Sequence, residues 1–397
     1  MAFDRAKLAP FAALSASYFA HIGFFNPYLP LWLKDQGLGL LAISVLTSVQ
    51  SGTRLFAPYG WGWLSDRTGE RVKLLRYGAT AALLCSLGLW FNLSFVGLLV
   101  VLGLMFVHTS SMMPMSEAAM AHLVSQGGQF NARLYGRVRL WGSLGFLVTV
   151  MAAGTWFEQR GMASFPAWAV ATLLAVTVSV WWMPDHKEAP HHAEEPKGQV
   201  WQLLRQPAVA WLFAAMFWHV LAHIAIYVFF SLYLDSLGYS KTVIGALWAV
   251  SVVCEIAWFF SQGRWLPRLS LSAWLWLAAV LAALRLGLTA GWATVLPFLV
   301  LAQMLHAVTF ATHHTVCIAL LSHHFPGRLR GRGQALYTVF GYGIPGVLGG
   351  VGGGWVSARW GLSSVFWLAT GAAVLASGCA FKVWGLHRHP RNAATPR

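Results

Sequence analysis

Long apolar runs alternate with short polar breaks along the chain, giving twelve runs in all. Each has roughly the 20 residues an α-helix needs to cross a bilayer core. The runs predict helices over 8–33, 41–65, 73–94, 96–122, 134–157, 164–183, 207–234, 242–263, 270–290, 292–322, 333–357 and 361–385. The first is too long for a signal peptide and lacks a small-residue cleavage site, so it is expected to stay in the protein. One extended polar stretch, bearing Pro and His, lies at mid-chain. It predicts a six-helix bundle over 1–184, a linker loop over 185–205 and a second six-helix bundle over 206–397.

Composition agrees with this pattern. Of 397 residues, 57% are hydrophobic and 10% charged, against about 25% charged in soluble domains. That leaves too little polar surface to solvate water-soluble domains or to keep a chain disordered. The formal charge of +15 would suggest nucleic acid until the basic residues are placed. Twenty of the 27 Lys and Arg fall at the termini, in the even-numbered connections or at the span ends beside them. Only Lys34, Arg160, Lys241 and Arg359 fall on the other side. Basic residues gather on the cytoplasmic face, so both termini are expected in the cytoplasm and no nucleic-acid partner is implied. Cys85, Cys254, Cys317 and Cys379 all lie in apolar runs and read as packing residues. His186, His191 and His192 lie in the polar linker and read as a solvated loop.

The two halves resemble each other. The segment Leu31-Trp32-Leu33-Lys34-Asp35-Gln36-Gly37 aligns with Leu232-Tyr233-Leu234-Asp235-Ser236-Leu237-Gly238 at an offset of 201 residues. Arg133-Leu134-Tyr135-Gly136-Arg137 aligns with Arg328-Leu329-Arg330-Gly331-Arg332 at an offset of 195. Two six-helix repeats joined by a polar loop describe a transporter whose substrate site lies between the halves near the bilayer midplane. Positions shared by both repeats are architectural, whereas positions where they differ are better site candidates. Arg54, Arg139, Arg285 and Glu255 are all of the second kind, and Glu117 is the other acid well inside a span. A charge inside a span costs at least a few kcal/mol (about 2.5–3.5 on insertion scales) and marks function by default. The bland alternative is that these charges only neutralise one another. Gly341-Tyr342-Gly343-Ile344-Pro345-Gly346 fits a dinucleotide fingerprint but follows no strand. Helix packing and a kink at Pro345 account for it better.

Gly62-Trp63-Leu64-Ser65-Asp66-Arg67-Thr68-Gly69-Glu70-Arg71-Val72-Lys73 resembles the loop 2–3 signature of the major facilitator superfamily. The resemblance implies an all-α membrane protein with the major facilitator fold, twelve transmembrane helices in two pseudo-symmetric bundles. It also implies a conformational latch made by Gly62, Asp66, Arg67, Gly69 and Arg71. A closer resemblance lies in Ser116-Glu117 after Pro114, and in the run Tyr135-Gly136-Arg137-Val138-Arg139-Leu140-Trp141-Gly142-Ser143. It continues through Leu203 to Pro207, Gly245 to Trp248 with Glu255, Arg285-Leu286-Gly287 and Leu305 to Phe310. These segments resemble the 3-phenylpropionate transporter family, a relative of the lactose permease.

That resemblance implies substrate contacts from Glu117, Arg139, Phe146 and Arg285, and it matches Glu255 and His306 to the permease's C-half acid and histidine; Tyr227 joins the substrate candidates because its helix should border the cavity. Proton coupling is expected through Glu255, His306 or Glu117, since the two glutamates are the carboxylates well inside the spans and a histidine is the other group able to titrate there. Where the permease has a Lys three residues before its His, this chain has Gln303. Where the permease has its proton-carrying Glu three residues after, it has Thr309. Phe146 replaces a sugar-stacking Trp. The expected function is therefore proton-coupled symport of a small aromatic acid by a monomer in a bacterial inner membrane. The proton gradient is the expected driving force, with no cofactor and no metal. A sugar or nucleoside symporter, a drug or metabolite exporter, and a membrane-embedded sensor are the alternatives; no nucleophile–base or metal constellation suggests an enzyme.

Overall fold

The computed structural model describes residues 5–124, 132–185, 199–326 and 329–388. Twelve helices among these are long and apolar enough to cross a membrane. They are α1 (Leu8–Asp35), α2 (Leu40–Thr68), α3 (Arg71–Trp90), α4 (Phe95–Glu117), α5 (Arg137–Arg160) and α6 (Met162–Trp181) in the first half. The second half has α7 (Pro207–Ser236), α8 (Lys241–Arg268), α9 (Leu271–Trp292), α10 (Leu296–His324), α11 (Gly331–Trp360) and α12 (Leu362–Arg388). The predicted spans match these one for one. Most of the predicted linker, with His186, His191 and His192, lies outside the described residues, as does Arg328. Large apolar side chains stand exposed along many helices, among them Leu84, Val148, Phe260, Trp367 and Leu375. Apolar exposure on that scale suits hydrocarbon and not water.

The chain divides into two compact units. The first comprises Met1–Glu194 with Leu234–Ala249, and the second Glu195–Tyr233 with Val250–Arg397. The α7–α8 corner groups with the first unit because polar contacts tie it there. Lys34 Nζ lies 2.6 Å from Asp235 Oδ2, and the Lys241 amide donates to Glu158 at 2.6 Å. The Tyr28 hydroxyl stands 3.0 Å from the Val150 carbonyl and 3.2 Å from that of Lys241. With one proton it can donate to only one of them at a time. The repeat is visible in the backbone too: Gly37 and Gly238, equivalent by sequence, turn the chain at φ 81° and 85°. Such a left-handed turn favours glycine.

In the first unit α1 packs on α5 through glycines. A Cβ on Gly145 would collide with the Ala16 carbonyl, and one on Gly142 would sit 2.7 Å from the Phe19 ring. Small residues let helix backbones approach closely where lipid tails give no hydrophobic drive to association. Beyond them, Phe24, Phe157, Phe165 and Trp168 form an aromatic core, with Trp32 stacked on Phe165 at 5.0 Å. In the second unit Val209, Leu212 and Met216 of α7 meet Val316 and Leu320 of α10 and Ala380 and Val383 of α12. Cys317 and Cys379 are buried in that same apolar core.

Several spans are interrupted, and sequence explains three of the breaks. In α2 the helix stops at Thr53 and restarts at Ala57. Pro58 has no N–H to give the Arg54 carbonyl, four residues earlier. In α4 the break falls at Ser110 and Ser111, four and three residues before Pro114. In α11 a π-helical stretch over Tyr337–Gly343 precedes Pro345, so the expected irregularity at that proline is present. Two further π segments, Ala225–Phe229 in α7 and Ala307–Thr312 in α10, have no proline to account for them. Such bulges gather at functional sites.

Candidate functional site

The intramembrane charges form two clusters, one in each unit. In the first unit Arg139 of α5 places Nε 3.4 Å from Glu117 Oε1 of α4. Both side chains keep about a third or more of their surface open, 42% for Arg139 and 34% for Glu117. The Arg139 guanidinium also lies over the Phe19 ring of α1, 4.4 Å from its centroid. Tyr18, beside it, is within electrostatic reach of Arg54, Arg139 and Glu117. Arg54 itself sits exposed at the α2 break. Among the described residues the cluster thus holds two guanidiniums and one carboxylate. Phe146 lies seven residues, about two helical turns, beyond Arg139 and is half-buried. Tyr18 and Phe19 are members that charge-based reasoning overlooks, since neither is ionised.

In the second unit Arg285 of α9 is 1% exposed, the largest side chain buried so completely among the described residues. It donates from Nη2 to Gln303 Oε1 at 3.1 Å and from Nη1 to Thr309 Oγ1 at 3.2 Å. A third contact runs from Nη1 to His306 Nδ1 at 3.1 Å. Gln303 and Thr309 are the two positions where the chain departs from the permease pattern. Here both serve as neutral acceptors for the buried guanidinium.

The His306 contact fixes a tautomer. Guanidinium can only donate, so Nδ1 accepts and the ring proton must sit on Nε2. That nitrogen faces Glu255 Oε2 of α8 at 3.3 Å. The sequence Arg285→His306→Glu255 is therefore a directed chain of donors, in which His306 cannot gain a second proton without giving up Arg285. Tyr227, within the α7 π segment, is within electrostatic reach of Arg285. The π segment of α10 begins one residue after His306 and contains Thr309.

The loop 2–3 motif closes on itself. Gly69 ends the α2 helix at φ 67°, its amide bonded to the Ser65 carbonyl. Arg71 reaches Asp66 Oδ1 at 3.9 Å and Ser65 Oγ at 3.3 Å, while Arg67 lies over the Trp63 ring. A Cβ on Gly62 would meet nothing within 4 Å. The motif thus brings Asp66, Gly69 and Arg71 together at one corner.

Comparison with known proteins places this arrangement. The profile of the MFS_1 like family matches residues 13–368. The chain belongs to that family. It is a secondary transporter of the major facilitator type, a multi-pass membrane protein of the bacterial kind, and not an enzyme. Among curated family relatives, a probable 3-phenylpropionic acid transporter of Escherichia coli strain K12 is 29% identical over 317 residues, covering 77% of this chain and 80% of that one. A maltose permease of Geobacillus stearothermophilus is 26% identical over 358 residues, covering 88% and 87%. Among solved structures, the nucleoside transporter NupG superposes with a TM-score of 0.80 at 15% identity, covering 95% of this chain and 98% of that one. That likeness shows the major facilitator fold.

Proposed function

We propose that this transporter imports a small organic acid, an aromatic carboxylate of the phenylpropionate kind, together with protons. The observation that carries the reading is the excess of guanidinium in the first-unit cluster. Among the described residues Glu117 is the one carboxylate within ion-pair distance of Arg139, 3.4 Å from its Nε. A guanidinium side chain 42% exposed can still offer a bidentate contact to a substrate carboxylate. Phe19, Tyr18 and Phe146 supply aromatic surface for a ring. The 29% identical relative named for 3-phenylpropionic acid supports the same class.

Proton coupling is assigned to Glu255. His306 is held neutral by the Arg285 donor, so the exchangeable proton belongs on the carboxyl that His306 faces. In this reading Arg285 positions His306 and does not touch substrate, because the side chain is buried and both Nη atoms are committed inside the unit.

The test is uptake of labelled 3-phenylpropionate by protein in liposomes. An inward proton gradient should drive accumulation, and Arg139→Ala should abolish it while protein still inserts. Glu255→Gln should lose gradient-driven accumulation yet retain exchange of substrate for substrate. Accumulation of maltose or a nucleoside in place of the acid would sink the substrate assignment. Indifference to the pH gradient would sink the coupling.

A further inference from the structure

Arg54 stands where a charge needs a reason. It lies fourteen residues from either end of α2, at the middle of that span, and it is exposed. A guanidinium at that depth is too costly to leave in hydrocarbon. Such residues face the bundle interior or a water-filled cavity and mark a substrate or ion pathway. Arg139 has Glu117 and Phe19, and Arg285 has three acceptors. Among the described residues the Arg54 side chain makes no ion pair and no hydrogen bond.

The α1–α2 contact sets its surroundings. A turn at 36–39 joins the two helices, which run antiparallel, and Gln50 Nε2 lies 3.5 Å from Asn26 Oδ1 across them. Arg54 follows Gln50 by one helical turn, and Tyr18 precedes Asn26 by about two. Along antiparallel helices both steps lead the same way, so Arg54 lies on the Tyr18 side of that contact. Tyr18 is the residue on which the charges of Arg54, Arg139 and Glu117 all bear. Its ring meets that of Phe19 edge-on at 5.5 Å, and Phe19 in turn lies 4.4 Å from the Arg139 guanidinium. The Tyr18 hydroxyl has no hydrogen-bond partner among the described residues. Two guanidiniums and a phenol, each able to donate, gather here around a single acid.

We propose that Arg54 is a second guanidinium for the substrate, gripping one carboxylate together with Arg139 and the Tyr18 hydroxyl, and that Glu117 restricts the site to organic acids of single negative charge. A carboxylate offers about four lone-pair sites, enough to accept from a guanidinium fork, a second guanidinium and a hydroxyl at once. The charges set the class of ligand. Arg54 and Arg139 against Glu117 leave one positive charge, which one carboxylate brings to neutrality. A second carboxylate on the ligand would be left without a counter-charge, in surroundings where an unbalanced charge costs more than in water. The inference rests on the first-unit cluster being the substrate site.

The experiment is calorimetric binding to purified protein in detergent at neutral pH. The ligands are 3-phenylpropionate, its neutral amide, hexanoate as an aliphatic acid, and phenylsuccinate, the same skeleton with a second carboxylate. The wild type should bind 3-phenylpropionate about tenfold or more tighter than the amide or phenylsuccinate. Arg54→Gln should weaken 3-phenylpropionate about tenfold or more, as loss of a charged hydrogen bond does. Arg54→Lys should fall between, because an ammonium keeps the charge and loses the fork. Glu117→Gln adds one unit of positive charge and should shift the preference toward phenylsuccinate by a similar factor. Equal monocarboxylate binding by wild type and Arg54→Gln would overturn the role of Arg54. A preference unmoved by Glu117→Gln would overturn the single-charge rule. If that variant does not fold, the wild type decides, since phenylsuccinate bound as tightly as 3-phenylpropionate refutes the rule. Arg54-dependent binding of hexanoate in place of 3-phenylpropionate would sink the aromatic class and leave this inference standing. Uptake that ignores a pH gradient would sink the coupling alone, and a wild type that binds no carboxylate would sink both readings.

Discussion

Arg285 has no carboxylate within ion-pair distance among the described residues, and Gln303, Thr309 and His306 hold it instead. Gln303→Leu removes the acceptor of Nη2 and leaves a buried guanidinium under-satisfied. The expected cost is about 1–3 kcal/mol of stability, read as a lower unfolding temperature in detergent. Gln303→Glu, which restores an acceptor, should not show that loss. Charged site residues were legible in the sequence because a charge inside an apolar run is rare and has few innocent explanations. Gln303 and Thr309 were visible only as departures from the permease pattern, with no role attached. Tyr18 and Phe19 were not legible at all, since aromatic residues fill these helices and only the folded α1 brings this pair against Arg139.

Helix interruptions do at the level of elements what these acceptors do at the level of residues. The α2 break exposes Arg54, and the α10 π segment sets His306 and Thr309 on the side of Arg285. Pro58→Ala restores an N–H for the Arg54 carbonyl and favours a continuous helix, since Pro is about 3 kcal/mol poorer than Ala in a helix interior. The expected outcome is a protein at least as stable in thermal unfolding but slower in substrate uptake. Unchanged uptake would mean that the break does not serve the site. Span positions followed directly from run length, because a bilayer sets a minimum that side-chain detail cannot alter. Breaks at Pro58, Pro114 and Pro345 are readable after the fact from the missing donor. The π segments of α7 and α10 leave no such mark, because one extra residue in a turn barely disturbs hydropathy.

For the whole molecule, the repeat carries more information than composition. It pairs Gly37 with Gly238, which turn the chain at φ 81° and 85°, and it aligns Lys34 with Asp235. What it could not say is that these two equivalent side chains touch, at 2.6 Å. With side chains 48% and 22% exposed, the pair contributes at most about 1 kcal/mol. Lys34→Ala should therefore change unfolding by no more than that. Lys34→Asp alone sets two carboxylates together and should destabilise more, whereas the exchange Lys34→Asp/Asp235→Lys should restore unfolding to near the wild-type value. A chain built of two identical halves could not make this contact. Lys34 would meet a second lysine, or Asp235 a second aspartate. The salt bridge thus required the two repeats to diverge, and a symmetric dimer of the first half would begin with a repulsion at this position.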